Sequence, residues 1–168
     1  MILAAIGANL PLPGHATPYD NVKAALEVLD ANDITVTGVS SWYRSAPIPA
    51  SNQPDFVNGV VSIRTSLSAQ ALLQRFHRIE SEFGRRRSVE NAARTLDIDL
   101  IDYDGVIVVP PDGQEGLTLP HPRLQDRAFV LFPLRDLAPD WVDPRDGRAL
   151  DDLIEALPSD QFCVRIEE

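Results

Sequence analysis

The chain has 168 residues, 44% of them hydrophobic and 24% charged, which is the size and composition of a single globular domain, expected to span residues 1–168. A net charge of −10 argues against general nucleic-acid binding, which draws its affinity from a basic surface, and a lone cysteine, Cys163, excludes an intramolecular disulfide or a thiolate metal cluster. No apolar run approaches the length of a membrane span and the first residues lack a basic, signal-like opening, so a cytoplasmic monomer without membrane or nucleic-acid partners is expected.

In chain order, residues 2–6 form a short apolar run ended by Gly7, as a buried strand would be. Thr17 and Pro18 open a helix in which Val22, Ala25, Leu26 and Leu29 recur at helical spacing. Ile34 to Arg44 is β-rich and alternating, and a Pro-rich loop follows from Ala46 to Pro54. Phe56 to Thr65 reads as the next strand. Ser68 then caps a helix carrying Leu72, Leu73, Phe76, Ile79 and Phe83 on one face, and Gly84 ends it.

Arg94 to Asp102 alternates apolar and acidic residues, so a strand there turns Leu96, Ile98 and Leu100 to a core and Asp97 and Asp99 together to the opposite face. Beyond residue 104, Val106 to Val109 suggests a short strand, Leu124 to Leu137 contains a short helix, and Ala149 to Leu157 forms a terminal helix. The order β-α-β-β-α-β is that of a ferredoxin-like α+β sandwich with a C-terminal helical extension. Two helices cover one sheet face, and the other face is left for a ligand or partner.

Two aspartates at i and i+2 on one strand repel unless a cation lies between them. Mg²⁺ is that kind of cation, commonly held by one or two carboxylates and substrate phosphates. Arg85, Arg86, Arg87 and Arg94 are natural phosphate partners, and positive charge is locally concentrated: of fifteen basic residues only Lys23 is a lysine, and Arg75, Arg78, Arg85, Arg86, Arg87 and Arg94 fall within twenty positions. The competing interpretation is a hydrated strand edge. His15 and His77 read as structural or solvent-exposed, and Glu80, one turn before Gly84, is expected to hydrogen-bond within the site.

Several stretches coincide in order: Ile6-Gly7-Ala8-Asn9-Leu10, Ser41-Trp42-Tyr43-Arg44-Ser45-Ala46-Pro47, Asn52 to Asn58, Gly84-Arg85-Arg86-Arg87, Ala93 to Asp99, Leu119-Pro120-His121-Pro122 and Arg127 to Leu131. Across roughly residues 2–140 this set resembles the 6-hydroxymethyl-7,8-dihydropterin pyrophosphokinases of folate biosynthesis. The resemblance implies transfer of pyrophosphate from ATP to a reduced pterin, with release of AMP. It implies that Asp97 and Asp99 hold two Mg²⁺ ions, that Arg85 and Arg94 act on the phosphates in transit, and that Arg87, His121 and Arg127 hold the nucleotide together with Leu73, Leu100 and Thr118. Ser45, Ala46, Ile48, Phe56, Asn58 and Phe129 are the implied pterin slot, with the two phenylalanines on opposite sides of the ring.

Arg86, between matched positions, is assigned to the surface. The pattern departs from the family where a tryptophan and a Gly-Pro often stand, since residues 88–93 are Ser-Val-Glu-Asn-Ala-Ala. That removes one stacking group from a loop expected to close over the substrates. The alternative function is a non-catalytic ferredoxin-like sensor of small molecules, which has no need of an acidic pair beside arginines. An RNA-recognition module is disfavoured by acids on the sheet face.

Overall fold

The elements run β1 (Ile2–Ala8), α1 (Pro18–Leu29), β2 (Ile34–Val39), β3 (Tyr43–Ser45), β4 (Phe56–Thr65), α2 (Ala69–Glu82), β5 (Asp97–Tyr103), α3 (Ala128–Leu137), α4 (Leu150–Glu155) and β6 (Cys163–Arg165) in a computed structural model that describes residues 1–31, 33–84 and 93–167. The result is a mixed α+β architecture around one antiparallel sheet. The apolar opening of the chain becomes its central strand: β1 lies between β4 and β5, β2 and β3 pair with successive parts of β4, and β6 lies beyond β3.

Alternation in β1 divides the interior in two. Ile2, Ala4 and Ile6 turn toward α1 and α2, where they pack with Val22, Ala25, Leu29, Leu72 and Phe76 and with Ile98 and Leu100 of β5. Leu3 turns the other way and joins Val60 and Ile101 beneath Leu131 and Leu134 of α3 and Leu150 and Leu153 of α4. The helices begin where the sequence punctuates them. Thr17 and Asp20 form a reciprocal capping box at α1, Ser68 accepts the Ala71 N–H at α2, and Gly84 follows α2 at φ +76°, a conformation costly for any residue with a Cβ.

Four boundaries differ from the sequence-based expectation. The run 34–44 is two strands, because Ser40 leaves the alternation to exchange bonds with Val60 while the Trp42 ring packs on Gly59, where an added Cβ would sit 2.7 Å from it. Val106 to Val109 is no strand; only Val108 pairs, in an isolated bridge to Leu119, and Pro110 cannot extend the ladder. The helix within 124–137 is preceded by a 3₁₀ turn at Leu124–Asp126, and Pro133 inside α3 has no N–H to give the helix. β6, three residues long, is too short to show an alternation.

The start of α3 is held from a distance. Its N-cap residue, Arg127, gives no side-chain cap; instead Gln161 accepts the Ala128 N–H at 2.8 Å and donates to the Asp126 carbonyl at 2.7 Å. Gln161→Ala strands a buried N–H, so it is expected to destabilise the protein by about 1 kcal/mol, a melting-temperature drop of roughly 2–4 °C. Thermal denaturation checks this, and an unchanged melting curve would show that water replaces the cap at no cost.

Candidate functional site

The sheet face opposite α1 and α2 is not wholly free, as the element order alone suggested, because α3 and α4 pack on part of it. What stays open is the end near Gly7, and strand register decides which groups meet there. Gly7 pairs with Asn58 on one side and with Asp97 on the other, and Ala5 pairs with Val60 and Asp99. Residues directly opposite share a sheet face. Gly7 and Ala5 therefore make a low floor between an amide and an acidic wall two strands away, roughly 10 Å across. The floor cannot rise, since a Cβ on Gly7 would stand 2.6 Å from Asn58 Oδ1.

One wall suits a flat, hydrogen-bonding ring. Ser45, Ala46, Ile48, Phe56, Asn58 and Phe129 all line it, and Asn58 Nδ2 donates to Ser45 Oγ at 2.8 Å, which fixes the orientation of the amide. The other wall is charged. Arg94 Nη1 lies 2.5 Å from Asp97 Oδ2, while Asp99 Oδ2 is 3.6 Å from Arg127 Nη1 and 3.7 Å from His121 Nε2. Arg127 also lies over the Phe129 ring, 5.3 Å from its centroid, so one guanidinium borders both walls.

His121 reaches Asp99 because its backbone N–H donates to the Ile101 carbonyl at 2.9 Å, which lays residue 121 along the outer edge of β5. Its Nδ1 accepts the Arg123 N–H at 3.2 Å, leaving Nε2 to carry the proton toward Asp99. Burial, aided by the charges of Arg127 and Arg123, pulls His121 down to about 4, so the ring is a neutral donor at pH 7. Burial, and then repulsion from Asp97, pushes Asp99 up to about 6 against the pull of Arg127, whose own proton affinity burial lowers.

Glu80 does not face the cleft. It is buried on the α2 side, where its Oε1 accepts the Ile98 N–H at 2.8 Å between the two aspartates, so the bond expected within the site lies behind it. Leu73, Leu100 and Thr118 do not line the cleft either, and Leu100 is buried in the core. Arg85, Arg86, Arg87 and the departure at 88–92 lie outside the described residues. His15 bonds to Asn21, a structural role, and His77 is not among the residues lining the cleft.

Asn9, Gln53 and Arg123 received no role from sequence. Asn9 is buried; its Oδ1 accepts the Arg94 N–H at 2.7 Å and its Nδ2 donates to Gln53 Oε1 and the Pro54 carbonyl, which ties the charged wall to the loop before Phe56. It sits inside the Ile6–Leu10 stretch, where position after a strand ending in glycine was the available signal. Gln53 and Arg123 line the cleft, Arg123 two residues after His121.

The donor set fits a divalent cation shared with a ligand. Two carboxylates face one space, one of them with its proton affinity raised by burial and then by its acidic neighbour. Among the described residues no third His, Cys, Asp or Glu completes an all-protein cage. Mg²⁺, which takes few protein ligands and fills the rest of its shell with water and phosphate oxygen, suits that set.

The family model for 7,8-dihydro-6-hydroxymethylpterin-pyrophosphokinase matches residues 3–139. The chain is 46% identical over 151 residues to the 2-amino-4-hydroxy-6-hydroxymethyldihydropteridine pyrophosphokinase of Synechocystis sp., covering 89% of this chain and 75% of that one. It is 39% identical over 158 residues to the protein of that name from Pseudomonas aeruginosa, with 94% and 91% covered, and 40% identical over 142 residues to that of Haemophilus influenzae, with 83% and 82% covered. A match across most of the chain, on a fold whose open sheet end joins a wall of aromatic, amide and hydroxyl groups to an acidic pair, identifies it as a member of the 7,8-dihydro-6-hydroxymethylpterin-pyrophosphokinase family.

Proposed function

We propose that this chain transfers pyrophosphate from ATP to 6-hydroxymethyl-7,8-dihydropterin, giving the pterin diphosphate and AMP, and that its sheet, with β4 between β2 and β1 and β5 on the far edge, is the ferredoxin-like arrangement. The observation that carries the reading is the register of Asn58, Gly7 and Asp97 in one row, which supports an acceptor and a phosphate chain lying side by side over one floor.

In this reading Phe56 and Phe129 cover the pterin ring, while Ser45, Ala46, Ile48 and Asn58 fix its rotation so that its hydroxymethyl group reaches across Gly7. Asp97 and Asp99 would hold Mg²⁺, two ions by the family resemblance, which when bound neutralises phosphate charge and aligns the reacting oxygens. Arg94 and Arg127 grip the phosphates, and neutral His121 donates from Nε2 to a phosphate oxygen. By the family pattern Arg85 acts on the phosphates in transit, and Arg87, Leu73, Leu100 and Thr118 hold the nucleotide. No side-chain nucleophile is needed, because positioning and charge stabilisation suffice for in-line phosphoryl chemistry.

Product analysis tests this. With ATP, Mg²⁺ and the pterin, purified protein is expected to release AMP and pterin diphosphate in equal amounts and no ADP. ADP as the main product would mean γ-phosphoryl transfer, and ligand binding with no turnover would favour the sensor.

A further inference from the structure

The charged wall is largely paired within itself. Arg94 is paired with Asp97 and Arg127 faces Asp99, so two guanidiniums stand against two carboxylates. Arg123 is the remaining charged group among the described residues lining the cleft, and no described carboxylate lies within ion-pair distance of it. Its position is nevertheless fixed at the backbone, since its N–H is bonded to the ring of His121. The side chain is exposed at the mouth of the cleft.

An exposed long cation without a partner is usually a solvated surface charge. Here it borders a cavity whose other described arginines each face a carboxylate, and a polyanion entering that cavity gains most from the charge not already paired. We propose that Arg123 is a substrate-binding residue that takes the phosphates of the nucleotide beyond the first, where the negative charge of ATP is concentrated. This rests on the pyrophosphokinase reading and adds to it a phosphate contact outside the set the family pattern assigns.

The test compares Arg123→Gln with wild-type protein by calorimetric titration of ATP, AMP and the pterin, each in Mg²⁺ buffer. ATP binding is expected to weaken about three- to tenfold, the range for losing one partly screened charge-assisted contact. AMP and pterin binding should stay at wild-type strength, and the ATP difference should shrink at high salt. Arg64→Gln controls for net charge, since it removes an exposed guanidinium six residues beyond Asn58 on β4, roughly 20 Å away, and should leave ATP affinity unchanged. Equal affinity of Arg123→Gln and wild type for ATP, equal weakening for ATP and AMP, or an equal loss in Arg64→Gln would each overturn the inference. If wild-type protein itself bound no ATP, the pyrophosphokinase reading would fall first.

Discussion

Asp99→Asn is expected to make the metal-free protein more stable at pH 7 and to lower turnover by a hundredfold or more. The two effects have one origin. Burial and the neighbouring Asp97 raise the Asp99 carboxyl from 3.8 to about 6, so ionising it in the folded state costs free energy that the unfolded chain does not incur. A shift of that size would be worth up to about 3 kcal/mol. Because a third of the side chain, 34%, remains exposed, solvent screening reduces the expected gain to about 1 kcal/mol.

The sign follows from the raised value. Below about pH 4 the carboxyl is protonated in both states and the cost is absent; it grows as pH rises and is complete above about 6. Wild-type protein should therefore lose stability across that window relative to Asp99→Asn, which carries no titrating group there. Turnover moves oppositely because, on the proposed assignment of Asp99 to Mg²⁺, the amide cannot replace the anionic ligand, and losing even 3 kcal/mol of charge stabilisation is about a hundredfold in rate. Asp97→Ala should share the loss of turnover without the gain in stability, since Arg94, 2.5 Å away, would lose its partner. Thermal melts across pH in chelator, and turnover against Mg²⁺, check both. Near-normal turnover of Asp99→Asn would remove the metal assignment, and a lower melting temperature at pH 7 would mean that Asp99 is stabilised by Arg127 more than burial costs it.

Much of this site was legible because its parts lie on strands. Leu96 to Asp99 alternates cleanly, so the shared face of Asp97 and Asp99 follows from period two alone, and the same holds for Phe56 and Asn58. Register was not legible. Nothing local to Gly7 says that it pairs with both Asn58 and Asp97, and that double pairing is what turns two strand patterns into one cleft. The contributions of loops were also hidden. His121 comes to Asp99 through a backbone bond to Ile101, and Asn9 joins two walls through contacts more than forty residues distant in sequence. Glu80 was drawn toward the cleft by its nearness to Gly84, but α2 turns it to the core side, where an edge strand has an N–H to satisfy. The covering of the second face by α3 and α4 was not legible because α3 is apolar on more than one side, Phe129 and Phe132 standing among Val130, Leu131 and Leu134 and blurring the helical period.

Gly7→Ala is expected to cost at least tenfold in pterin affinity while ATP affinity stays within a factor of about two. The backbone of Gly7 is ordinary strand, so its freedom of conformation is not the issue; space is. The new methyl would sit 2.6 Å from Asn58 Oδ1, closer than a Cβ is found to any neighbour, and 3.6 Å from both Asn58 Cγ and the Val57 carbonyl. Asn58 is nearly buried and its Nδ2 is bonded to Ser45, so the amide can yield only by breaking that bond or by turning into the ring-binding wall. Either movement removes or displaces a hydrogen-bonding partner from the pterin slot, and each such loss at a buried site is worth about 1–3 kcal/mol. The charged wall is spared because Asp97, on the other side of Gly7, is held by Arg94 and not by anything the methyl touches. The clash should also lower stability by about 1–3 kcal/mol, as overpacking does. Calorimetric titration with each ligand separates the outcomes. Wild-type pterin affinity would show that Asn58 yields without consequence and is not the ring's partner, and equal losses for pterin and ATP would mean that the floor supports both walls as one unit. A double variant decides between displacement and collapse. If Gly7→Ala acts only by moving the Asn58 amide, adding it to Asn58→Ala, where the colliding oxygen is gone, should cost no further pterin affinity.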